Sequence, residues 1–558
     1  MASGSGVPGS RLAAFACCIA LVQFLAPGTA AAQQTHPYRP GVDVLHYALT
    51  IDLPDTGAVI RGDALLTVRR TARMDTLVLD LRSLRVAQVT VGNSARAFRR
   101  TDSTIHVPLP RGDTGTFRVR VIYSGRVTDG LIVRQDSLKR WTYFGDNWPN
   151  RARFWIPSVD HPSDKATVSW TVRGPASLTV VANGTLVDTR TVGAGPARRS
   201  TTRWRAAKPI PTYLMVIGAA PLIRHDLGET ACGLAEMQRC VRQSVYVAPE
   251  QRAAVPGHFA KAGDMVRFFS ELVAPYPYEK LAHLQSSTRF GGMENATAIF
   301  YDDRLFRRPN GVSEGLIAHE TVHQWFGNSV TGRDWPHLWL SEGFATYFAA
   351  LWTERAHGDS AFKAQMANVR RVILSDTVAV ANRPVIDTAQ SDLMMLLNAN
   401  SYQKGGWVLH MLRGELGDSA FFSGVRAYYG KHRHGTAVSS DLQAALEEAS
   451  GRSLASFFDQ WLRRPGYPEV EISWETDASE RSIALTVTQG DRFGAFEFPL
   501  RLAFTDSLGA VRHVEVAIPA VPETQLQLPI SGSVRSVEVD PDVQVLGRFT
   551  VRPAANSP

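Results

Sequence analysis

Between about His36 and Leu222 the chain runs in short stretches that alternate apolar with polar residues: HYALTIDL, ALLTVRR, TLVLDL, TFRVRVIY and ATVSWTVRG. A period of two marks half-buried strands, and the Gly, Asp, Pro and Ser between the stretches supply turns. This block predicts a large antiparallel β domain. From about Cys240 to Arg464 the period lengthens to that of a helix, in GLIAHETVHQWFG, SEGFATYFAALWTERA, QKGGWVLHMLRGEL and SDLQAALEEASG. Ser440-Asp441 and Ser453 are placed to cap helices, and Gly451 to stop one. After Pro465-Gly466-Tyr467-Pro468 the strands return as EVEISWE, SIALTVTQ, LRLAFTD and RHVEVAIP, enough for a small β-sandwich. The expected class is a multidomain α+β chain divided at 33–225, 226–465 and 466–558, without solenoid repeats.

Composition narrows the picture. At 558 residues the chain exceeds one ordinary core, and 20% charged with 44% hydrophobic residues belongs to a folded protein. The net charge of +8 is spread over single arginines and short doublets such as Arg99-Arg100. No basic stripe carries interleaved aromatics, so nucleic acid is not an expected partner. Residues 1–32 read as a leader: Arg11, the apolar run Leu12–Leu25, the break at Pro27-Gly28 and small residues at Ala30–Ala32. The run is too short to span a bilayer comfortably, and no other segment resembles a transmembrane helix. Export is the expectation, with cleavage after Ala32. Cys232 and Cys240 then remain, and in an oxidising compartment so close a pair reads as a small disulfide loop.

The chemistry lies in the middle block. His319-Glu320-Thr321-Val322-His323 sits in a helical pattern, which puts both imidazoles on one face. Neutral imidazoles are good zinc ligands, and Glu320 on the adjacent part of the face can take a proton from an attacking water. A third ligand is available at Glu342, separated from His323 by eighteen residues, where WLSEGFATYFAAL starts a second helix that Ser341 could cap. On spacing alone Tyr402 reads as a core aromatic and Glu294 as an exposed turn residue.

Taken with these motifs, GGMEN at Gly291–Asn295, HETVHQWFGNSVT, WLSEGFATY and SYQKGG resemble the aminopeptidase N and leukotriene hydrolase-like family of zinc metallopeptidases. IPSVDHPSDKAT, VANGTLV and PTYLMVIGAA resemble that family's N-terminal domain. The likeness implies a β-saddle, a thermolysin-like, mainly helical catalytic domain and the β-sandwich, with one zinc ion per chain held by His319, His323 and Glu342. It implies peptide substrates, Glu320 as general base and Tyr402 as hydrogen-bond donor to the oxyanion. Glu294 would grip the substrate's α-ammonium, and Gly291, Gly292 and Met293 would line its backbone as an edge strand.

Three positions depart from the family pattern. Trp148 stands where relatives carry Gln or Glu near the amino-terminus anchor, which makes Asp146 the candidate substitute. Ala349 stands where a Glu often orients a ligating histidine, so another group must do so. No long helical domain follows the sandwich, so a more open cleft is expected. The expected reaction is release of amino-terminal residues from peptides. The alternatives are a zinc endopeptidase in an open cleft and a non-catalytic peptide-binding scaffold.

Overall fold

The computed structural model describes residues 38–554 apart from 111, 113, 231–240, 309–310, 478–480 and 531–533. The expected leader and the Cys232–Cys240 loop lie outside the described residues.

The first block folds around an eight-stranded sheet. Its strands run in the order 185–192, 199–211, 165–175, 42–52, 59–70, 115–126, 85–91 and 94–95. The predicted alternation is realised in Val59–Arg70, where Ile60, Ala64, Leu66 and Val68 are buried between more exposed neighbours. One pairing differs from the antiparallel expectation: Val42–Asp52 runs parallel to Lys165–Pro175. A parallel pair needs a long crossover, and here more than a hundred residues supply it. A four-stranded sheet formed by 131–135, 141–145, 179–182 and 217–220 completes most of the block.

The middle block is not purely helical. It contains a five-stranded sheet in the order 223–230, 241–247, 281–286, 298–302 and 292–293, whose first strand crosses the 225–226 division. Leu281–Ser286 and Ala298–Asp302 are buried at every residue. Strands covered on both faces have no polar alternation to read. Helix Glu314–Val322 meets the edge strand of this sheet, Trp339–His357 packs on that helix, and Gly405–His432 packs on Trp339–His357. The final block forms sheets of four and three strands with Ile472, Leu485, Leu500 and Leu502 buried within.

Capping differs in detail from expectation. Asp441 sits at the third position of Ser439–Ser450 and accepts from the Val438 N–H at 2.8 Å. Leu454 rather than Ser453 flanks the next helix. Gly451 ends its helix in the left-handed region as predicted, at φ 67°.

The first two blocks are tied together beside the site. The buried Lys165 ammonium donates to the carbonyls of Asn328, Ser329 and Gly435 at 3.0, 2.8 and 2.9 Å. Tyr213 Oη donates to Gly327 O at 3.1 Å, and Asn183 Nδ2 to Ala296 O at 2.8 Å.

Candidate metal centre and active site

The motif helix spans Glu314–Val322, and Ser313 caps it by accepting from the Leu316 N–H. It ends at His323, earlier than GLIAHETVHQWFG suggested. Gly327, at φ 111°, turns the following chain back on the helix, and the Phe326 carbonyl arrives 3.1 Å from His323 Nδ1. That bond places the proton on Nδ1 and leaves Nε2 as the ligating atom. Ser341 Oγ also lies 3.1 Å from Nδ1. The helix carrying Glu342 begins at Trp339 after Leu338, so Ser341 orients a histidine rather than capping a helix. These two groups answer the question raised by Ala349.

His319 Nε2 and His323 Nε2 stand 3.1 Å apart, and Glu342 Oε2 lies 3.4 Å and 3.3 Å from them. Apart from these ring nitrogens, Glu342 Oε2 has no partner among the described residues. Ligand atoms placed ~2.0–2.2 Å from an ion in near-tetrahedral geometry, with angles of about 100–110°, sit roughly 3.1–3.6 Å from one another. Two imidazoles and a carboxylate at this spacing fit zinc. Against burial, attraction between the pair holds Glu342 down to about 2 and His323 up to about 10.

Glu320, Glu294 and His323 form a second close group. Burial holds the Glu320 carboxyl well above the usual carboxylate range, with Glu294 and Glu342 adding to it and His323 opposing. A cation beside it would favour its ionised form. Glu320 rests against Gly292: a Cβ there would lie 2.1 Å from Glu320 Oε1. Gly292–Met293 is the edge of the five-stranded sheet, paired with Phe300 and Tyr301. Gly291 extends the edge, its carbonyl accepting from the Asp302 N–H at 3.1 Å.

At the end of that edge, Glu294 is buried rather than exposed. Burial, opposed by His323 and reinforced by Glu342 and Asp146, pushes it up to about 7. Its backbone is clamped by Gln324 Nε2 and Asn328 Nδ2, which donate to Glu294 O at 2.9 and 2.6 Å. Both lie just past the motif in HQWFGN, a run the sequence displays without disclosing this role. Tyr402 lies in the π-helical turn Asn400–Lys404, its ring near-parallel to His319 with centroids 6.0 Å apart. Such turns are frequent at functional sites because the extra residue re-aims a side chain.

Asp146 does not serve as expected. It is fully buried, with Oδ1 3.0 Å from Arg151 and Oδ2 accepting the Arg289 N–H at 3.2 Å. Its charge is matched inside the protein, leaving none for a substrate ammonium. Trp148 packs edge-on against Phe290 and Trp335, with centroids at 6.0 and 5.8 Å.

Fold and site together define a class: a two-histidine, one-glutamate metal centre between a β-rich domain and a helical one. Residues 44–214 match the Peptidase M1 N-terminal domain and residues 259–461 the Peptidase family M1 domain. The chain belongs to peptidase family M1. It is 28% identical over 456 residues to Aminopeptidase N of Lactococcus lactis subsp. lactis, covering 76% of this chain and 51% of that protein. With human glutamyl aminopeptidase it shares 28% over 354 residues, 61% of this chain and 36% of the relative. It thus spans about half the length, or less, of these curated relatives. The M1 zinc metallopeptidase from Deinococcus radiodurans superposes with a TM-score of 0.68 at 27% identity, over 79% of this chain and 98% of that one. Legionella pneumophila aminopeptidase A, at 18% identity and a TM-score of 0.79, shares the fold over 92% of this chain and 60% of its own.

Proposed function

We propose that this protein is an exported zinc aminopeptidase that removes amino-terminal residues from peptides. The convergence of His319, His323 and Glu342 at zinc-ligand spacing, with Glu320 and Glu294 alongside, carries the reading. Zinc bound there supplies a Lewis acid that polarises the scissile carbonyl and lowers the pKa of water. Glu320 receives the proton of the attacking water and passes it to the departing amine. Tyr402 donates a hydrogen bond to the developing oxyanion. The Gly291–Met293 edge aligns the peptide backbone, and Glu294 pairs with the α-ammonium where water is excluded. A variant of the Deinococcus enzyme has been crystallised with the tripeptide Tyr-Ser-Ala as substrate, in keeping with peptides as substrates here.

Export rests on the composition of residues 1–32. Among the described residues no helix is long and apolar enough to cross a membrane. Amino-terminal sequencing of protein recovered from the periplasm or medium tests this, and a start at Met1 overturns it.

A panel of aminoacyl-aminomethylcoumarins, each free and acetylated, assayed with zinc and with chelator, tests the reaction. Cleavage of the free forms alone, abolished by chelation, is expected. Internal cleavage of acetylated peptides at equal rates would make the protein an endopeptidase, and inertness throughout would make it a scaffold.

A further inference from the structure

A cavity of about 540 Å³ opens where the N-terminal domain meets the end of the five-stranded sheet. Arg126 and Arg134 line it from one side, and Arg289 and Arg304 from the other. Two aspartates face these four arginines. Asp129 is shared by Arg289 and Arg151, and Asp302 is bound to Arg304. Arg134 reaches Asp303 at 3.5 Å. Arg126 is exposed and has no hydrogen-bond or ion-pair partner among the described residues. The Ser287 hydroxyl, also in the lining, is buried and has no partner either. The cavity therefore holds surplus positive charge, a free guanidinium and an unused hydroxyl, a donor set that suits a carboxylate.

Its position relates it to the cleft. Thr288 and Arg289 line the cavity, and the edge that includes Gly291 begins two residues later. Five chain steps separate Glu294 from Arg289, which span no more than about 18 Å. The Arg289 N–H is also bonded to Asp146, the carboxylate that acts electrostatically on Glu294. A peptide whose ammonium sits at Glu294 and whose backbone follows Met293, Gly292 and Gly291 has its other end directed toward Arg289. An extended peptide of about three to five residues covers that distance.

We propose that this cavity binds a carboxylate of the substrate on the far side of the scissile bond, and so favours short peptides with a free carboxyl terminus. The proposal rests on the aminopeptidase reading, which fixes the direction of the peptide. Arg126 is the group that receives the carboxylate, while Asp129 and Asp302 hold Arg289 and Arg304 in place.

The test uses the zinc-loaded full chain and alanine tetrapeptides ending in a free acid or an amide. An acid-over-amide ratio in kcat/KM of about tenfold is expected, carried by KM, as for one charged hydrogen bond. In Arg126→Gln this ratio should fall toward one, and Arg126→Lys should keep most of it. Because each ratio is taken within one protein, a folding defect cancels. An amidated tetrapeptide with aspartate in third place separates the two carboxylate sources. If it outruns its alanine counterpart, the cavity also reads acidic side chains. Equal rates for acid, amide and aspartate-amide in the parent overturn the proposal, as does a ratio unmoved by Arg126→Gln. Turnover of alanyl-aminomethylcoumarin by the parent reports the aminopeptidase reading separately, since that substrate has no residue beyond the scissile bond.

Discussion

Among the described residues, the N-terminal domain sets three of its four buried carboxylates against arginines, and the metal centre buries three without any, so the two regions treat such groups in opposite ways. Asp80, Asp146 and Asp160 each face a guanidinium of their own domain: Arg39 at 2.5 Å, Arg151 at 3.0 Å and Arg153 at 3.0 Å. Glu294, Glu320 and Glu342 have no lysine or arginine partner among the described residues and share only histidines. An uncompensated buried charge costs several kcal/mol, so the first group is closed by the fold and the second is left open for a cation from outside. Burial alone does not mark a functional acid; the absence of an internal counter-charge does.

The largest effects should come from the open group. Glu320→Gln should keep its zinc and lose ~10²–10⁴-fold in kcat, the usual contribution of a general base. His323→Ala should instead lose the metal, seen as a fall in zinc stoichiometry. Parental turnover from a fully metallated Glu320→Gln would remove Glu320 from the chemistry. Tyr402→Phe, next in size, should cost ~10²–10³-fold in kcat with KM nearly constant, because its hydrogen bond forms chiefly in the transition state. A rise in KM alone would make Tyr402 a substrate-binding group.

Glu294 and Asp146 sharpen the contrast, since one is open and the other closed. Glu294→Ala should raise KM for free peptides by roughly 10–150-fold, the equivalent of ~1.5–3 kcal/mol for a charged hydrogen bond. It should also narrow the gap between free and acetylated substrates. Asp146→Asn should leave KM nearly unchanged and lower stability by about 1–3 kcal/mol, because it removes one of the two carboxylates paired with Arg151 and leaves it Asp129 alone. Denaturant titration and kinetics on the same two variants decide the matter. Equal rises in KM would return Asp146 to the substrate site.

The ligands were legible because the helical period alone puts His319 and His323 on one face, and Glu342 opens the next strongly periodic segment. Strands Leu281–Ser286 and Ala298–Asp302 were not, because full burial erases the alternation by which a strand is read. The partners that fix the site were hidden for a different reason. The Phe326 carbonyl on His323 depends on a backbone turn at Gly327, and the Lys165 clamp joins segments more than 160 residues apart. Asp146 misled because its substitution for the usual anchor was argued from charge type, while Arg151, five residues on, already neutralised it.

The smallest expected effect tests the rule at its exception. Asp164 is buried in the N-terminal domain with no basic partner among the described residues; Oδ1 accepts the Val44 N–H at 3.0 Å and Oδ2 has no partner among them. If a closed fold tolerates such an acid, it does so by keeping it protonated, and burial indeed pushes it up to about 8. The unfolded chain releases that proton near the ordinary value of about 3.9. Between these values the folded state holds a proton that the unfolded state has lost, so stability drains away as pH rises from about 4 to 8. An asparagine side chain at this position cannot ionise and resembles the protonated carboxyl in shape. Asp164→Asn should therefore be close to the parent near pH 5 and exceed it at pH 8 by about 1–2 kcal/mol, within the ~1.4 kcal/mol per pH unit that linkage allows. Urea unfolding at the two pH values measures the difference directly. A variant equally destabilised at both would mean that Asp164 is ionised in the fold, and that the N-terminal domain, too, can leave a carboxylate without an internal counter-charge.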